Sequence, residues 1–253
     1  MAYHKSFEEG IKDMYNRDIK EKYIDKYEYK RWFFDKNAET DYVMMRKAVE
    51  FAIYDIEFHS CLELGPGPGT WTKVILRKNE KTKILLLDIS KEMLKSAKKN
   101  LSQYRNIKYK EINFLEYSPK ERFDFFFSSR AIEYISDKEK MCDIIKSSLK
   151  GGGRGVIITK KPHPVKLGIR KILGGIIENE HLLRISPIQF KKMLEKKGFK
   201  NINIYPVIMP PKPPFFNLLS LRVFLFNLFY KRKLNFLTNL LSESYLIKFE
   251  NDN

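Results

Sequence analysis

The sequence contains few cysteines and histidines, and it lacks a long apolar run. Only two cysteines, Cys61 and Cys142, occur in 253 residues, so a disulfide framework is excluded and a reducing cytosol is the expected compartment. Nothing at the N-terminus resembles a signal peptide, which favours the same compartment. No apolar stretch reaches the roughly 18 to 20 residues that a membrane-spanning helix needs. With four histidines and no Cys-His cluster, we expect no metal site.

Charge of one sign dominates the composition. The chain has 48 Lys and Arg against 31 Asp and Glu, a formal net charge of +17, which motivates a nucleic-acid partner. However, 36 of the 48 basic residues are lysines spread along the chain beside acids, whereas arginine is usual for forked phosphate recognition. We interpret most of these lysines as residues on solvent-exposed faces of helices, so nucleic acid is the less favoured partner. Attraction to anionic membranes or acidic glycans stays open.

A glycine-rich loop is the most informative feature that is present. Residues 62–72 begin as a buried strand and turn at three glycines, and Thr70 can cap a helix that begins near Trp71. Glycines let a ligand approach the main chain, and a helix N-terminus offers it N–H groups. Asp88 follows the loop by about 20 residues, the spacing that places a carboxylate on a ribose diol. A nucleotide-like ligand is therefore predicted.

The loop differs from the dinucleotide-binding pattern. That pattern requires G-x-G-x-x-G, whereas Gly65, Gly67 and Gly69 form a loop one residue shorter. Glu63 precedes it, and a carboxylate there would repel a pyrophosphate but suits a ligand that carries an ammonium and a sulfonium. Residues 63–70 (ELGPGPGT) resemble motif I of the class I S-adenosylmethionine-dependent methyltransferases. NAD becomes the minor alternative.

The resemblance extends to later segments. Residues 88–94 (DISKEML) are similar to the family's second motif, in which the acid binds the ribose and the next residues border the adenine. Asn113 stands where the family usually has an aspartate that binds the adenine amino group. Residues 123–130 and 149–158 resemble the fourth strand and the turn into the fifth. The family implies S-adenosylmethionine as cofactor and the following binding residues: Glu63, Gly65, Pro66, Gly67, Gly69, Thr70, Asp88, Ile89, Met93, Asn113, Phe114, Ser129 and Arg130.

Strands and helices alternate along the middle of the chain, which predicts a mostly parallel sheet with helices on both faces. The predicted fold class is α/β, Rossmann-like and doubly wound, and the family implies seven strands with an antiparallel last strand. We divide this single domain into an N-terminal helical cap (1–57), a cofactor-binding core (58–160), a substrate-side segment with strand six (161–209), an apolar helical insertion (210–243), and the last strand and tail (244–253).

The insertion at 210–243 is far longer than an ordinary hairpin loop. A proline-rich leader precedes residues 215–230, of which 12 of 16 are apolar or aromatic, and then come Lys231, Arg232 and Lys233. Such a segment must bury most of its surface. Its alternatives are the protein's own core, a homodimer partner, and a membrane interface or lipidic substrate. The basic cluster suits anionic headgroups, which would place the protein peripherally at the inner membrane surface.

The candidate catalytic residues follow from the reaction. Methyl transfer from a sulfonium is an in-line displacement, so a neutral amine or an ionised phenolate needs no base, whereas a hydroxyl does. The candidates are His163, His181, Glu133 and Tyr134. The predicted function is methyl transfer to a small-molecule, glycan or lipid-linked acceptor, because DISKEML and residues 186–199 resemble the branch with quinone-biosynthesis and glycan- or lipid-modifying methyltransferases. An RNA methyltransferase and a catalytically silent cofactor-binding scaffold are the alternatives.

Overall fold

The structure is a computed structural model that describes residues 2–23, 26–162, 183–208 and 219–252. Helices come first in the chain and form the N-terminal cap. Asp35 begins the longest of them, since its side chain accepts a hydrogen bond from the N–H of Ala38 at 2.7 Å. The cap consists of α1 (Ala2–Arg17), which continues as a π-helix (Asp18–Tyr23), α2 (Tyr27–Trp32) and α3 (Lys36–Tyr54).

Seven strands form one sheet in the order β3-β2-β1-β4-β5-β7-β6. The pairs among β1 to β5 are parallel, and β7 is antiparallel to both β5 and β6. The predicted doubly wound α/β class, with an antiparallel last strand, is confirmed. The strands are β1 (Ser60–Leu64), β2 (Lys83–Asp88), β3 (Ile107–Glu111), β4 (Phe123–Ser129), β5 (Leu149–Lys160), β6 (Phe199–Pro206) and β7 (Ser244–Asn251).

Helices pack on both faces of the sheet, so its central strands are buried on both sides. Phe125, Phe126 and Phe127 of β4 are all fully buried, and such uninterrupted apolar runs are typical of parallel strands. The connecting helices are α4 (Thr70–Lys78), α5 (Lys91–Asn100), α6 (Lys138–Ser148) and α7 (Pro187–Lys196), with 3₁₀ turns at Phe114–Glu116 and Ile132–Tyr134.

Two details differ from the sequence-based expectation. Thr70 does not cap α4, because it is the first helical residue; Gly69 occupies the cap position with a left-handed φ of 87°. The glycines at 151–153 do not simply precede β5 but form an irregularity within it. The pairing with β4 passes from Leu149 opposite Phe123 to Arg154 opposite Phe125. The extra residues therefore bulge out of the ladder.

The insertion contributes α8 (Leu219–Phe229) and α9 (Phe236–Leu241). One side of α8 belongs to the core. Arg222 is 1% exposed, and its guanidinium bonds to Asp41 and, at 3.1 Å, to Asn37 of α3. Phe226 is buried, and its ring stacks on Tyr230 at 4.7 Å. Among the residues that the structure describes, no helix is long and apolar enough to cross a membrane.

The buried ion pair of Arg222 makes a stability prediction. We expect Asp41→Ala to lower the free energy of unfolding by about 3–5 kcal/mol, because it removes a partner of a buried guanidinium. Urea denaturation measures this loss. Glu50→Ala on the same helix is the matched control, since its pair with Arg46 at 3.7 Å is exposed and should contribute less than about 1 kcal/mol. Equal losses in the two variants would contradict the role given to Arg222.

Candidate functional site

A cavity of about 430 Å³ lies at the carboxyl ends of the central strands, where a doubly wound sheet places its ligands. The loop after β1 and the ends of β2, β3 and β4 form its walls, and residues of α1 and α2 also line it. Most of the predicted cofactor-binding residues come together here: Gly65, Pro66, Gly67, Thr70, Asp88, Ile89, Met93, Asn113, Phe114, Ser129 and Arg130.

The glycine loop brings the main chain to the cavity wall. Gly65 has a φ of 65°, and a Cβ there would lie 2.3 Å from the Cβ of Ala131, so no larger residue fits. Gly67 has a φ of 54°, but nothing stands within 4 Å of the position of a Cβ. Both angles favour glycine, and at Gly67 the absence of a side chain leaves room for a ligand against the backbone.

Asp88 ends β2 at the cavity wall. The backbone N–H of Ser90 donates to its Oδ1 at 2.9 Å, and the N–H groups of Gly67 and Ile89 also bond to the carboxylate. Burial raises the pKa of Asp88 to about 6, although these N–H bonds act to lower it. The carboxylate is therefore ionised at neutral pH, where it can accept charge-assisted hydrogen bonds from paired hydroxyls such as a ribose diol.

Two hydroxyls in the cavity wall have no hydrogen-bond partner within the described part of the chain. They are Oγ1 of Thr70 and Oγ of Ser129, and both are buried. Because leaving a buried polar group unpaired costs about 1–3 kcal/mol, these two positions suit a polar ligand. Asn113 is partly engaged, since its side-chain oxygen accepts from the N–H of Leu115 at 3.0 Å. A second lone pair of that oxygen is available to a ligand.

Two predicted cofactor residues, Glu63 and Gly69, do not line the cavity. Glu63 is 1% exposed, and the hydroxyl of Thr72 donates to its Oε2 at 2.8 Å. Burial, together with the charge of Asp88, raises the pKa of Glu63 to about 8, so it is mostly neutral at pH 7 and does not place a charge beside a ligand as expected. Gly69 instead allows close packing, because a Cβ there would lie 2.8 Å from Leu101.

Glu133 lines the cavity, but one of its carboxylate oxygens is already engaged in hydrogen bonds. It is 3% exposed, and its Oε1 accepts from Nε of Arg130 at 2.5 Å and from the backbone N–H of Lys160 at 2.8 Å. Burial alone would raise its pKa, but the charge of Arg130 and the bond from Lys160 outweigh burial, so the pKa is lowered. A carboxylate held in its ionised form in this way is a weak general base.

Tyr134 lies in an aromatic wall of the cavity. Its ring meets that of Tyr15 from α1 edge to face, with centroids 5.7 Å apart. Burial and the neighbouring Tyr134 raise the pKa of Tyr15 well above its usual value, so Tyr15 stays a neutral phenol. The other two catalytic candidates, His163 and His181, lie outside the described residues and stay predictions.

Sequence reasoning missed three cationic residues of the cavity wall, namely Arg31 of α2, Lys160 and Arg184. The last two lie beside Glu133. Nε of Arg184 is buried without a hydrogen-bond partner in the described chain and lies 3.6 Å from Oε2 of Glu133. Nζ of Lys160 lies 3.0 Å from Oε1 of Glu243. Together with Arg130, these two residues place three cations beside the carboxylates of Glu133 and Glu243, and the buried carboxylate of Glu8 also lines the cavity. Because no hydrogen bond within the described chain uses Nε of Arg184, this guanidinium favours an anionic ligand group at this end of the cavity.

The helix α1 is fixed across the carboxyl ends of the strands and covers the cavity. Its apolar residues Ile11 and Met14 line the cavity together with Tyr15, in agreement with their helical spacing in the sequence. Three polar contacts fix α1 to the rest of the fold. Glu8 accepts from the N–H of Ser136, after β4, at 3.0 Å, and Lys12 donates to Glu111, at the end of β3, at 2.6 Å. Asn16 accepts from the hydroxyl of Ser90, after β2, at 2.8 Å.

Residues 61–153 match the family model of a methyltransferase domain. Over these residues the chain is similar to methyltransferases, and the match contains the glycine loop, Asp88 and Glu133. The resemblance predicted from residues 63–70 is confirmed over this range. The finer resemblance to the quinone-biosynthesis and glycan- or lipid-modifying branch stays a prediction.

The proteins similar to this chain include enzymes with named acceptors. Malonyl-[acyl-carrier protein] O-methyltransferase 2 of Ilyobacter polytropus is 31% identical over 127 residues, which are 47% of this chain and 49% of that protein. An uncharacterized protein of Methanocaldococcus jannaschii is 28% identical over 199 residues, which are 71% of this chain and 82% of that protein. The chain thus spans about half the length of the first curated relatives that it matches.

Solved methyltransferase structures share the fold. N-methyltransferase NodS of Bradyrhizobium japonicum, in complex with S-adenosyl-L-homocysteine, aligns with a TM-score of 0.60 at 12% identity and covers 99% of this chain and 98% of its own. A SAM-dependent methyltransferase of Thermotoga maritima aligns with a TM-score of 0.62 at 16% identity and covers 94% and 99%. At these identities the likeness concerns the fold.

The raised pKa of Glu63 predicts a pH-dependent stability. The folded state keeps the proton of Glu63 up to a pH of about 8, whereas an unfolded glutamate loses it near 4.5. The folded state therefore binds more protons between these values, and the free energy of unfolding falls as the pH rises through this range. Glu63→Gln, which mimics the neutral carboxyl, should flatten this fall by on the order of a few kcal/mol.

Thermal melts from acidic to mildly basic pH measure this effect. Glu50→Gln, at an exposed position, is the control and should keep the pH dependence of the wild type. If the melting curves of wild type and Glu63→Gln stay parallel across the whole range, Glu63 is not the buried neutral acid that we describe.

Proposed function

We propose that this protein is a methyltransferase that uses S-adenosylmethionine to methylate a small or carrier-linked acceptor bearing an anionic group. The match of residues 61–153 to a methyltransferase domain supports the enzyme class and the cofactor. The observation that supports the acceptor class is the division of charge in the cavity. Asp88 supplies a carboxylate at one wall, whereas Arg130, Lys160 and Arg184 surround the other end.

The cavity residues fit the chemical groups of this cofactor. Asp88 would accept hydrogen bonds from the ribose hydroxyls, and the apolar side chains of Ile89 and Met93 would border the adenine. The unpaired hydroxyls of Thr70 and Ser129 would bond to polar groups of the ligand. When bound, the cofactor supplies the methyl group that is transferred to the acceptor.

The protein contributes mainly alignment and exclusion of water. α1 covers the cavity, and orientation with desolvation can supply roughly 7–11 kcal/mol of the barrier reduction. Glu133 is held as an ionised partner of Arg130, so it is a weak base for removing a proton from a hydroxyl. An acceptor oxygen that is already ionised at neutral pH, such as a carboxylate, needs no such base.

The relatives support a carboxylate as the anionic group. They include malonyl-[acyl-carrier protein] O-methyltransferases and a trans-aconitate 2-methyltransferase of Rhodopseudomonas palustris, which is 26% identical over 91 residues. Guanidinium groups bind carboxylates through paired hydrogen bonds, and Nε of Arg184 has no such partner in the described chain. Glycan- and lipid-linked acceptors remain within the proposal where they carry an anionic group.

The first test concerns the cofactor. Calorimetry should show micromolar binding of S-adenosylhomocysteine and no detectable binding of NAD. Asp88→Ala should weaken binding by about 1.5–3 kcal/mol, because it removes charge-assisted hydrogen bonds. Asp143→Ala, an exposed acid on α6, is the control and should bind as the wild type does. Tight NAD binding, or an unchanged affinity in Asp88→Ala, would refute the assignment.

The second test concerns the acceptor. Labelled S-adenosylmethionine with malonyl-[acyl-carrier protein] or trans-aconitate should give a methyl ester. Arg184→Ala should raise the KM for the acceptor about 10- to 100-fold, and Arg184→Lys should restore part of the loss, because it keeps the charge but not the fork. Both variants should bind S-adenosylhomocysteine normally, as should the exposed control Arg77→Ala.

Two results would count against this acceptor class. Turnover of uncharged acceptors alone, with KM unaffected by Arg184→Ala, would exclude an anionic acceptor at this end of the cavity. Tight cofactor binding without turnover of any acceptor would instead favour the catalytically silent scaffold.

A further inference from the structure

The insertion exposes a concentrated set of large apolar side chains. Phe224 is 63% exposed and Phe236 is 86% exposed. Six of the eleven large apolar side chains that are exposed in the described chain belong to α8 and α9, and such a concentration marks an interaction surface, whereas scattered single residues do not. We call these six residues the apolar face: Leu221, Phe224 and Leu228 of α8, and Phe236, Leu237 and Leu240 of α9.

The opposite side of α8 fixes the orientation of this face. Arg222 is buried and bonds to Asp41 and Asn37 of α3. Phe226, one turn further along, is 1% exposed. Rotating α8 to bury Phe224 would withdraw a guanidinium from its partners, which is costly for a buried ion pair. The fold therefore fixes the outward direction of the α8 residues of the apolar face.

A basic cluster lies between the two helices. It consists of Lys231, Arg232 and Lys233, and all three side chains are exposed. The Nζ of Lys231 lies 5.5 Å from the ring centroid of Tyr230. The sequence contains no Asp or Glu from residue 210 to residue 242. The charge carried by this segment is therefore only positive.

We propose that the apolar face and the basic cluster dock the protein on an anionic lipid surface. The apolar side chains would enter the headgroup boundary, and the basic cluster would pair with anionic headgroups. A second copy of the chain suits this face less well. A two-fold interface would bring two basic clusters together, and residues 210–242 offer no acid to compensate them. An anionic lipid surface supplies the missing charge.

The docking surface adjoins the wall of the cavity. Glu243, which follows α9, pairs at 3.0 Å with Lys160, a cavity residue. Lys161 donates to the carbonyl oxygen of Asn239 within α9. Docking would therefore hold the cationic end of the cavity near the lipid surface, where a lipid-linked acceptor resides. That consequence rests on the proposed function, whereas the binding itself does not.

Vesicle co-sedimentation of the full chain tests the proposal. The probes are phosphatidylcholine vesicles with and without phosphatidylglycerol. We expect the wild type to pellet with the anionic vesicles and to release at high salt, because headgroup attraction is screened. Phe224→Gln with Phe236→Gln should lose most of this binding. Lys231→Gln, Arg232→Gln and Lys233→Gln together should weaken it about 10- to 100-fold.

Matched controls lie on α7, away from the insertion. Ile188→Gln changes an apolar residue that is 62% exposed, like Phe224, and should pellet as the wild type does. The triple variant Lys191→Gln, Lys192→Gln, Lys196→Gln removes the same charge as the variant of the basic cluster and should also pellet normally. All of these positions are exposed, so circular dichroism should show the native fold in every variant.

Three outcomes would overturn the proposal. The wild type would stay in the supernatant with anionic vesicles, the α7 controls would lose binding as strongly as the insertion variants, or light scattering would show a dimer that Phe224→Gln with Phe236→Gln dissociates. The last outcome would assign the apolar face to a second copy. Because S-adenosylhomocysteine binding is measured separately, a failure here is distinguishable from a failure of the proposed function.

Discussion

The arrangement of the cavity depends on one buried carboxylate. Oε1 of Glu133 accepts from Nε of Arg130, after β4, and from the N–H of Lys160, at the end of β5, while its Oε2 faces Arg184. Arg130 has a φ of 66°, which costs a non-glycine residue roughly 1–2 kcal/mol. The ion pair with Glu133 and a backbone bond to Ile158 at 2.8 Å offset this strain. Glu133 thus keeps its cations close together without neutralising all of them.

Two buried glutamates in this protein have opposite protonation states because their surroundings differ. Glu63 has a hydroxyl as its side-chain partner, and burial leaves it neutral at pH 7. Glu133 is almost as buried, but adjacent cations keep it ionised. The negative charge that faces a ligand from the β2 side therefore comes from Asp88. Asp88 and the cations around Glu133 therefore make the two ends of the cavity chemically different. One end suits hydroxyl donors, and the other suits anions.

The sequence predicts the sheet and the glycine loop well because their signals are local. Apolar runs mark the strands, and the spacing from the loop to Asp88 reflects one strand-helix-strand unit. The protonation state of Glu63 could not be predicted in this way, because a sequence motif does not show how deeply a side chain is buried. Lys160 could have been included, because it ends a predicted strand at the ligand-binding edge. Arg184 has no such signal, because only the tertiary fold brings it to Glu133.

In the insertion, a single buried charge determines which side of the apolar helix α8 is exposed. Since 12 of the 16 residues from 215 to 230 are apolar or aromatic, hydrophobicity alone gives α8 no preferred side to bury. The sequence therefore left core, dimer and membrane open. Arg222 determines which side of α8 is buried. Its guanidinium is tolerated in the interior only where it can bond to Asp41 and Asn37. Once that contact is made, Phe224 must face outward, and the exposed face follows from the buried charge.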